Sequence, residues 1–181
     1  MTAPRIAAPR LDLIAGTAAL SQAELSDRAA FARMLSAEVP AEWPPEFYDT
    51  EAIRFTAERL AHAPHDAGWW CWYAVERPVA EGKRHLVGVG GFKGPPGGDR
   101  LVEIGYSFVA AARGRGLATE FVRALAAWAL AQPAVDRVIA ETLPELAPSI
   151  RVLERCGFRF AGNGAEPGVI RYELRQPASG V

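Results

Sequence analysis

The chain is short of the residues that build metal sites and disulfide frameworks. Two cysteines, Cys71 and Cys156, and three histidines, His62, His65 and His85, occur in 181 residues. The cysteines sit in WWCWYAV and LERCGF, which read as a core strand and a helix end, with no CxxC and no histidine beside them. Neither a zinc site nor a paired framework follows from that spacing, and the histidines are too scattered to serve as ligands. No metal is expected, and reduced thiols point to a cytoplasmic setting. An excess of charge of one sign is missing too: 20 basic residues against 21 acidic ones leave a formal net charge of −1. Broad binding to a phosphate backbone draws on many uncompensated Lys and Arg, so nucleic acid is not the expected partner. No apolar run approaches the ~20 residues of a membrane span. The N-terminal MTAPRIAAPR lacks the apolar stretch of a signal peptide.

What is present is ordinary globular composition, 50% hydrophobic and 23% charged. The length suits one domain over residues 1–181, with an ordered core over about 10–175 and loose Pro/Ala/Gly-rich ends at 1–9 and 176–181. Residues 10–14 (RLDLI) alternate like a strand. Ser26 is placed to cap a helix over 27–36 whose apolar stripe is Ala30, Phe31, Met34 and Leu35. Pro40, Pro44 and Pro45 break regular structure in VPAEWPPEFYD, and helical spacing resumes over 50–61. Strand patterns follow at 69–76, 85–93 and 101–109, the last two joined by the turn GPPGGD. A helix to about residue 131 carries Leu117, Phe121, Leu125 and Trp128 on one stripe. A strand at 136–142, a helix at 149–156 and strands near 157–161 and 168–175 complete the chain. This order predicts an α/β (α+β-like) domain with a mixed sheet, in which strands 101–109 and 136–142 run parallel.

Residues 112–120 read ARGRGLATE, between a strand and a helix. Open N–H groups at a helix start, with the positive end of its dipole, attract an anion. Gly114 and Gly116 let backbone approach a diphosphate, and Arg113 and Arg115 add charge. The run is neither G-x-x-x-x-G-K-[ST] nor G-x-G-x-x-G, so the two familiar nucleotide loops are excluded. Taken alone, the stretch reads equally well as a solvated turn.

Together with SIRVLERCGF, however, ARGRGLAT resembles the paired signatures of the GNAT N-acetyltransferase superfamily, and VEIGYSF resembles the Rim-type branch that acetylates ribosomal-protein N-termini. The resemblance spans about residues 10–175. It implies a mostly antiparallel sheet with a splayed central parallel pair and flanking helices, and acetyl-CoA as cofactor. Phe108, Val109 and Ala110 would pair with the pantetheine arm, and the backbone of Arg113, Gly114, Arg115, Gly116, Leu117, Ala118 and Thr119 would hold the diphosphate. Ser149 takes a small polar position near the sulfur, or caps its helix after Pro148. Leu146 replaces a frequent arm-binding Asn, and Leu153 stands where many members have a Tyr acid, so that acid is excluded here. A thiol leaving with pKa near 8.5 needs little protonation.

Alternation in LVEIGYSFV puts Glu103, Gly105 and Ser107 on one face, with space beside the carboxylate, and Glu103 is the candidate general base. The resemblance places Trp43, Phe47 and Tyr48, and the loop AGNGAEPG with Glu166, around the acceptor. The expected function is direct acetyl transfer to a primary amine, either a protein N-terminus or a small amine. The alternative is a catalytically weak acyl-CoA-binding sensor module. Monomer and homodimer are both open.

Overall fold

The structure is a computed structural model and describes residues 3–176. Eight strands form one sheet in the order β1-β2-β3-β4-β5-β6-β8-β7. They are β1 (Arg5–Ala7), β2 (Leu11–Ala15), β3 (Cys71–Glu76), β4 (His85–Phe92), β5 (Leu101–Phe108), β6 (Arg137–Thr142), β7 (Arg159–Asn163) and β8 (Ile170–Arg175). Every adjacent pair is antiparallel except β5 and β6. The helices are α1 (Ala18–Ser26), α2 (Arg28–Leu35), α3 (Thr50–His62), α4 (Leu117–Leu130) and α5 (Ala147–Arg155).

Three differences from the sequence reading have local causes. Residues 5–7 are not loose: Arg5, Ile6 and Ala7 pair with Ile14, Leu13 and Asp12 and add an edge strand. Residues 18–26 form an unforeseen helix, because the Thr17 side chain accepts from the Leu20 N–H at 3.1 Å and starts it early. Ser26 therefore ends α1, and Asp27 caps α2 through the Ala30 N–H at 2.9 Å. The C-terminal loose end expected at 176–181 lies outside the described residues beyond Gln176.

The core forms where β3 and β4 pack beneath α4. Trp72 on β3 is fully covered there, as are Phe121 and Leu125 on α4, while Tyr73 is covered on the opposite face of the sheet by Phe31 and Trp43. Phe108 meets Phe121 edge-on at 5.7 Å, which fixes the end of β5 against α4. Trp128 packs on Trp69, Trp72 and Phe92 at the other end of the helix. β5 is thereby clamped on one face, leaving its other face and its β6-side edge to shape a cleft.

Candidate active site

β5 and β6 pair over three positions only: Leu101↔Arg137, Val102↔Val138 and Glu103↔Ile139. β5 continues to Phe108 and β6 to Thr142 without further pairing between them, so the two strands part just past Glu103. β6 is held away by β8, which pairs with it along its whole length. Antiparallel pairing alternates which residues face the partner strand. The Glu103 carbonyl accepts from the N–H of Lys93, just past β4, at 3.1 Å, and the Val109 N–H donates to Val87 of β4 at 3.0 Å. The backbone of Ile104, Tyr106 and Phe108 therefore turns toward the opening. Of the three residues expected to pair with an arm, only Phe108 turns its backbone to the opening. Val109 spends its N–H on Val87 and its carbonyl on Ala112, and the Ala110 carbonyl accepts from the Arg113 N–H in a 3-10 turn. The Arg113 guanidinium already donates to the Phe108 carbonyl at 3.2 Å.

The loop after β5 lies at the mouth of this opening. Gly114 and Gly116 have φ of +74° and +78°, a left-handed conformation that side chains resist. Gly116 begins α4 with no side-chain cap. Among the described residues, no acceptor takes the N–H groups of residues 114–119. The contrast with α1, α2 and α3 is informative, since Thr17, Asp27 and Asp49 cap all three. The two helices that start beside the splay, α4 and α5, are the ones without side-chain caps. An open helix start with exposed left-handed glycines fits an anionic diphosphate. Leu117 is buried as the first core residue of α4, while Ala118 and Thr119 are partly exposed.

The arginines have other partners. Arg115 makes two contacts to the Glu76 carboxylate, one of them at 3.1 Å. Arg10 donates to Glu120 at 2.8 Å and to the Arg115 carbonyl at 2.9 Å, pinning the loop from behind. Burial works to raise the Glu120 carboxyl, but the N–H groups and guanidinium around it outweigh burial and hold it below the usual carboxylate range. Arg113 pairs with Glu46 at 3.2 Å. The loop thus presents backbone, while its cations are tied to neighbouring carboxylates.

Glu103 lies at the point where the strands part. Its carboxylate, 21% exposed, meets Lys93 Nζ at 2.5 Å. Two residues past its partner Ile139, Glu141 sits on the same face and accepts from Arg171 at 2.7 and 3.0 Å and from the Ala165 N–H at 3.0 Å. Burial pushes the Glu141 carboxyl up, but the Arg171 guanidinium and the Ala165 N–H more than reverse this and keep it ionised. Lys93, Glu141 and Arg171 were given no role in the sequence reading, and nothing local marks them, since the register across β4, β5, β6 and β8 alone gathers them. Lys93 also ends an open groove of about 990 Å³ along α3, lined by Asp49, Phe55, Arg59 and Trp70 among others.

The segment expected to wall the acceptor divides. Trp43 is only 8% exposed and donates its indole N–H to Glu24 at 2.7 Å. Tyr48 and Tyr73 donate to the same carboxylate at 3.1 and 2.5 Å. Trp43 and Tyr48 thus belong to a packed cluster with Phe31 and Tyr73, held around a half-buried Glu24. Phe47 instead stands out, 86% exposed at φ +65°. Its neighbour Glu46 accepts from Ser107 Oγ of β5 at 2.5 Å through its carbonyl, which brings the loop over the splayed strand. Glu166 is exposed in the β7–β8 loop.

Ser149 lies in the first turn of α5, and Leu146 occupies the cap position without a side-chain bond, so Ser149 is not the cap. Tyr106 Oη is 3.2 Å from Ser149 Oγ. Leu153, fully buried and one turn further along that helix, offers no hydroxyl.

This architecture, a mixed sheet opened between one parallel pair with an uncapped helix at the mouth, is that of acyl-transferring domains. The family model described as an acetyltransferase (GNAT) domain matches residues 18–159. The chain is 31% identical over 133 residues to an uncharacterized N-acetyltransferase, YjdG, of Bacillus subtilis (strain 168), covering 73% of this chain and 76% of that one. Among solved structures, it is similar to a putative ribosomal-protein-serine acetyltransferase from Vibrio cholerae, with TM-score 0.65 and 22% identity over 97% of this chain and 100% of that one. It is also similar to RimL, a ribosomal L7/L12 alpha-N-protein acetyltransferase in complex with coenzyme A, with TM-score 0.62 and 18% identity over 95% and 98% of the two chains. The chain belongs to the GNAT acetyltransferase family and is an acetyl-CoA-dependent N-acetyltransferase by class. No helix of the described residues is long and apolar enough to cross a membrane.

Proposed function

We propose that this protein moves an acetyl group from acetyl-CoA directly to a primary amine, with a protein α-amino group as the favoured acceptor class. The observation that carries the reading is the parting of β5 and β6 just past Glu103, with the open N–H groups of residues 114–119 at its mouth. Acetyl-CoA supplies the activated thioester. The backbone of residues 114–119 holds its diphosphate, and the β5 edge at Tyr106 and Phe108 takes the arm. The arm then ends where the strands part, beside Glu103. The Glu103 carboxylate accepts the proton that the amine loses as it attacks, directly or through a water. Ser149 stands at the sulfur end. Phe47, and the loop it shares with Trp43 and Tyr48, covers the acceptor side, with the groove along α3 leading to Lys93.

An α-amino acceptor suits a site with one modest base. With a pKa near 8, roughly a tenth of it is neutral at pH 7, against under about a thousandth of a lysine side chain. Several fold neighbours are named as ribosomal-protein acetyltransferases, which supports the same acceptor class. The test is thiol release from acetyl-CoA with a panel of short peptides bearing free N-termini, N-blocked lysine peptides and small amines. Turnover is expected with free N-termini, and Glu103→Gln should lower kcat by about 100-fold or more with KM for acetyl-CoA little changed. Release no faster than without enzyme across the whole panel would overturn the enzymatic reading in favour of a sensor.

A further inference from the structure

Ser149 and Tyr106 stand on opposite walls of the opening. They are 43 residues apart in sequence, and Tyr106 reaches from β5 to the first turn of α5. Tyr106 Oη lies 3.2 Å from Ser149 Oγ and 3.4 Å from the Ser149 carbonyl oxygen. Among the described residues, neither hydroxyl has another hydrogen-bond partner.

A phenol has one proton to donate, and both nearby atoms of Ser149 accept. Burial pushes the Tyr106 hydroxyl up to about 12, against the pull of the Ser149 bond, so the proton stays on it at any working pH. Either hydroxyl could donate at 3.2 Å, but a phenol is the stronger acid and the poorer acceptor of the two, which favours donation from Tyr106 to Ser149 Oγ. Serine in a first helical turn often folds its own O–H back onto a local carbonyl. Among the described residues no such bond forms, so with Tyr106 donating, the Ser149 proton is left free.

We infer that Tyr106 is a positioning residue, one that fixes Ser149 Oγ as an acceptor and so leaves the Ser149 O–H to donate into the opening, onto the sulfur of the thioester. This rests on the coenzyme A reading above. As the carbon–nitrogen bond forms and the carbon–sulfur bond breaks, the electron pair of the latter goes to sulfur. Ser149 donates a hydrogen bond to that developing thiolate. Glu103 takes the amine proton, and the released thiolate takes its proton from water. The device replaces the hydroxyl that Leu153 cannot supply.

The test compares binding of coenzyme A and desulfo-coenzyme A, a probe lacking the sulfur, by calorimetry. Wild type should prefer coenzyme A by about five-fold, the worth of one net hydrogen bond. Tyr106→Phe keeps the ring and its packing, Ser149→Ala removes the donor, and each should bring the ratio close to one. The double variant should lose no more than either single one. A purely structural role for Tyr106 would weaken both ligands equally, and an undiminished five-fold ratio in Tyr106→Phe would overturn the inference. So would equal affinities in wild type. Failure of wild type to bind either ligand would overturn the coenzyme A reading itself, a result distinct from a lost ratio.

Discussion

Replacing Gly116 by alanine separates a cradle from a turn. Gly116 sits at φ +78°, and a Cβ built there meets nothing closer than Arg10 Nη2 at 3.5 Å, an ordinary contact. The added methyl therefore causes no clash within the protein. Its intrinsic cost is the left-handed backbone, about 1–2 kcal/mol for a residue with a Cβ. For a chain of this size that corresponds to a fall in Tm of roughly 2–8 °C. The effect on binding should be larger. If a diphosphate lies on these amides, the methyl stands between it and the N–H groups and removes one or two charge-assisted hydrogen bonds. Each is worth about 1.5–3 kcal/mol, so the loss of even one should raise Kd for coenzyme A roughly ten- to 150-fold. Gly114→Ala, at φ +74° with nothing within 4 Å, should behave alike. Gly98→Ala, equally uncrowded and not left-handed, serves as the control and should change neither quantity. Calorimetry with coenzyme A and a thermal melt read the two effects separately. A Gly116→Ala protein that melts a few degrees lower yet binds coenzyme A within two-fold of wild type would refute the placement of the diphosphate on this backbone.

Two further outcomes follow from how the neighbouring charges are spent. Arg115→Ala should weaken coenzyme A binding no more than about three-fold and lower stability by less than ~1 kcal/mol, since its half-exposed guanidinium serves Glu76; a loss as large as that in Gly116→Ala would show that the side chain itself binds the ligand. Burial raises the Glu24 carboxyl above its ordinary 4.5 despite the donors Tyr73, Trp43 and Tyr48. A carboxyl raised on folding contributes its stability below the unfolded value and loses it as pH rises through the folded value. In a comparison of urea midpoints, wild type should therefore lose stability relative to Glu24→Gln as pH climbs from about 4.5; a constant difference between the two proteins would contradict this.

Local chemistry made much of the fold readable. Alternation marked β5 and the Gly-Arg run marked the start of α4, because side-chain period and backbone permissiveness are properties of neighbouring residues. Capping was half legible: Ser26 and Asp27 are both good caps, and only the helix ending at Ser26, started by Thr17, decided between them. The three-residue β1 was hidden among prolines, since so short a strand is defined by its partner β2.

The sequence by itself determined which face of β5 carries Glu103, that glycines occupy the α4 entrance, and that strands 101–109 and 136–142 lie parallel. Tertiary structure alone decided where that parallel pairing stops, which puts Glu103 at the parting of the strands with Lys93 upon it and Glu141 on the same face. It also turned Trp43 and Tyr48 inward onto Glu24, left Phe47 outside, and joined Tyr106 to Ser149. The physical reason is common to all of these. A residue's period assigns it to a face, but its partner depends on register and on packing between segments tens of residues apart. Gly90 in VGVGGF shows the same limit. A Cβ there would lie 2.6 Å from the Gly105 carbonyl of β5 and from the Phe121 ring of α4. That requirement exists only once strand and helix have met.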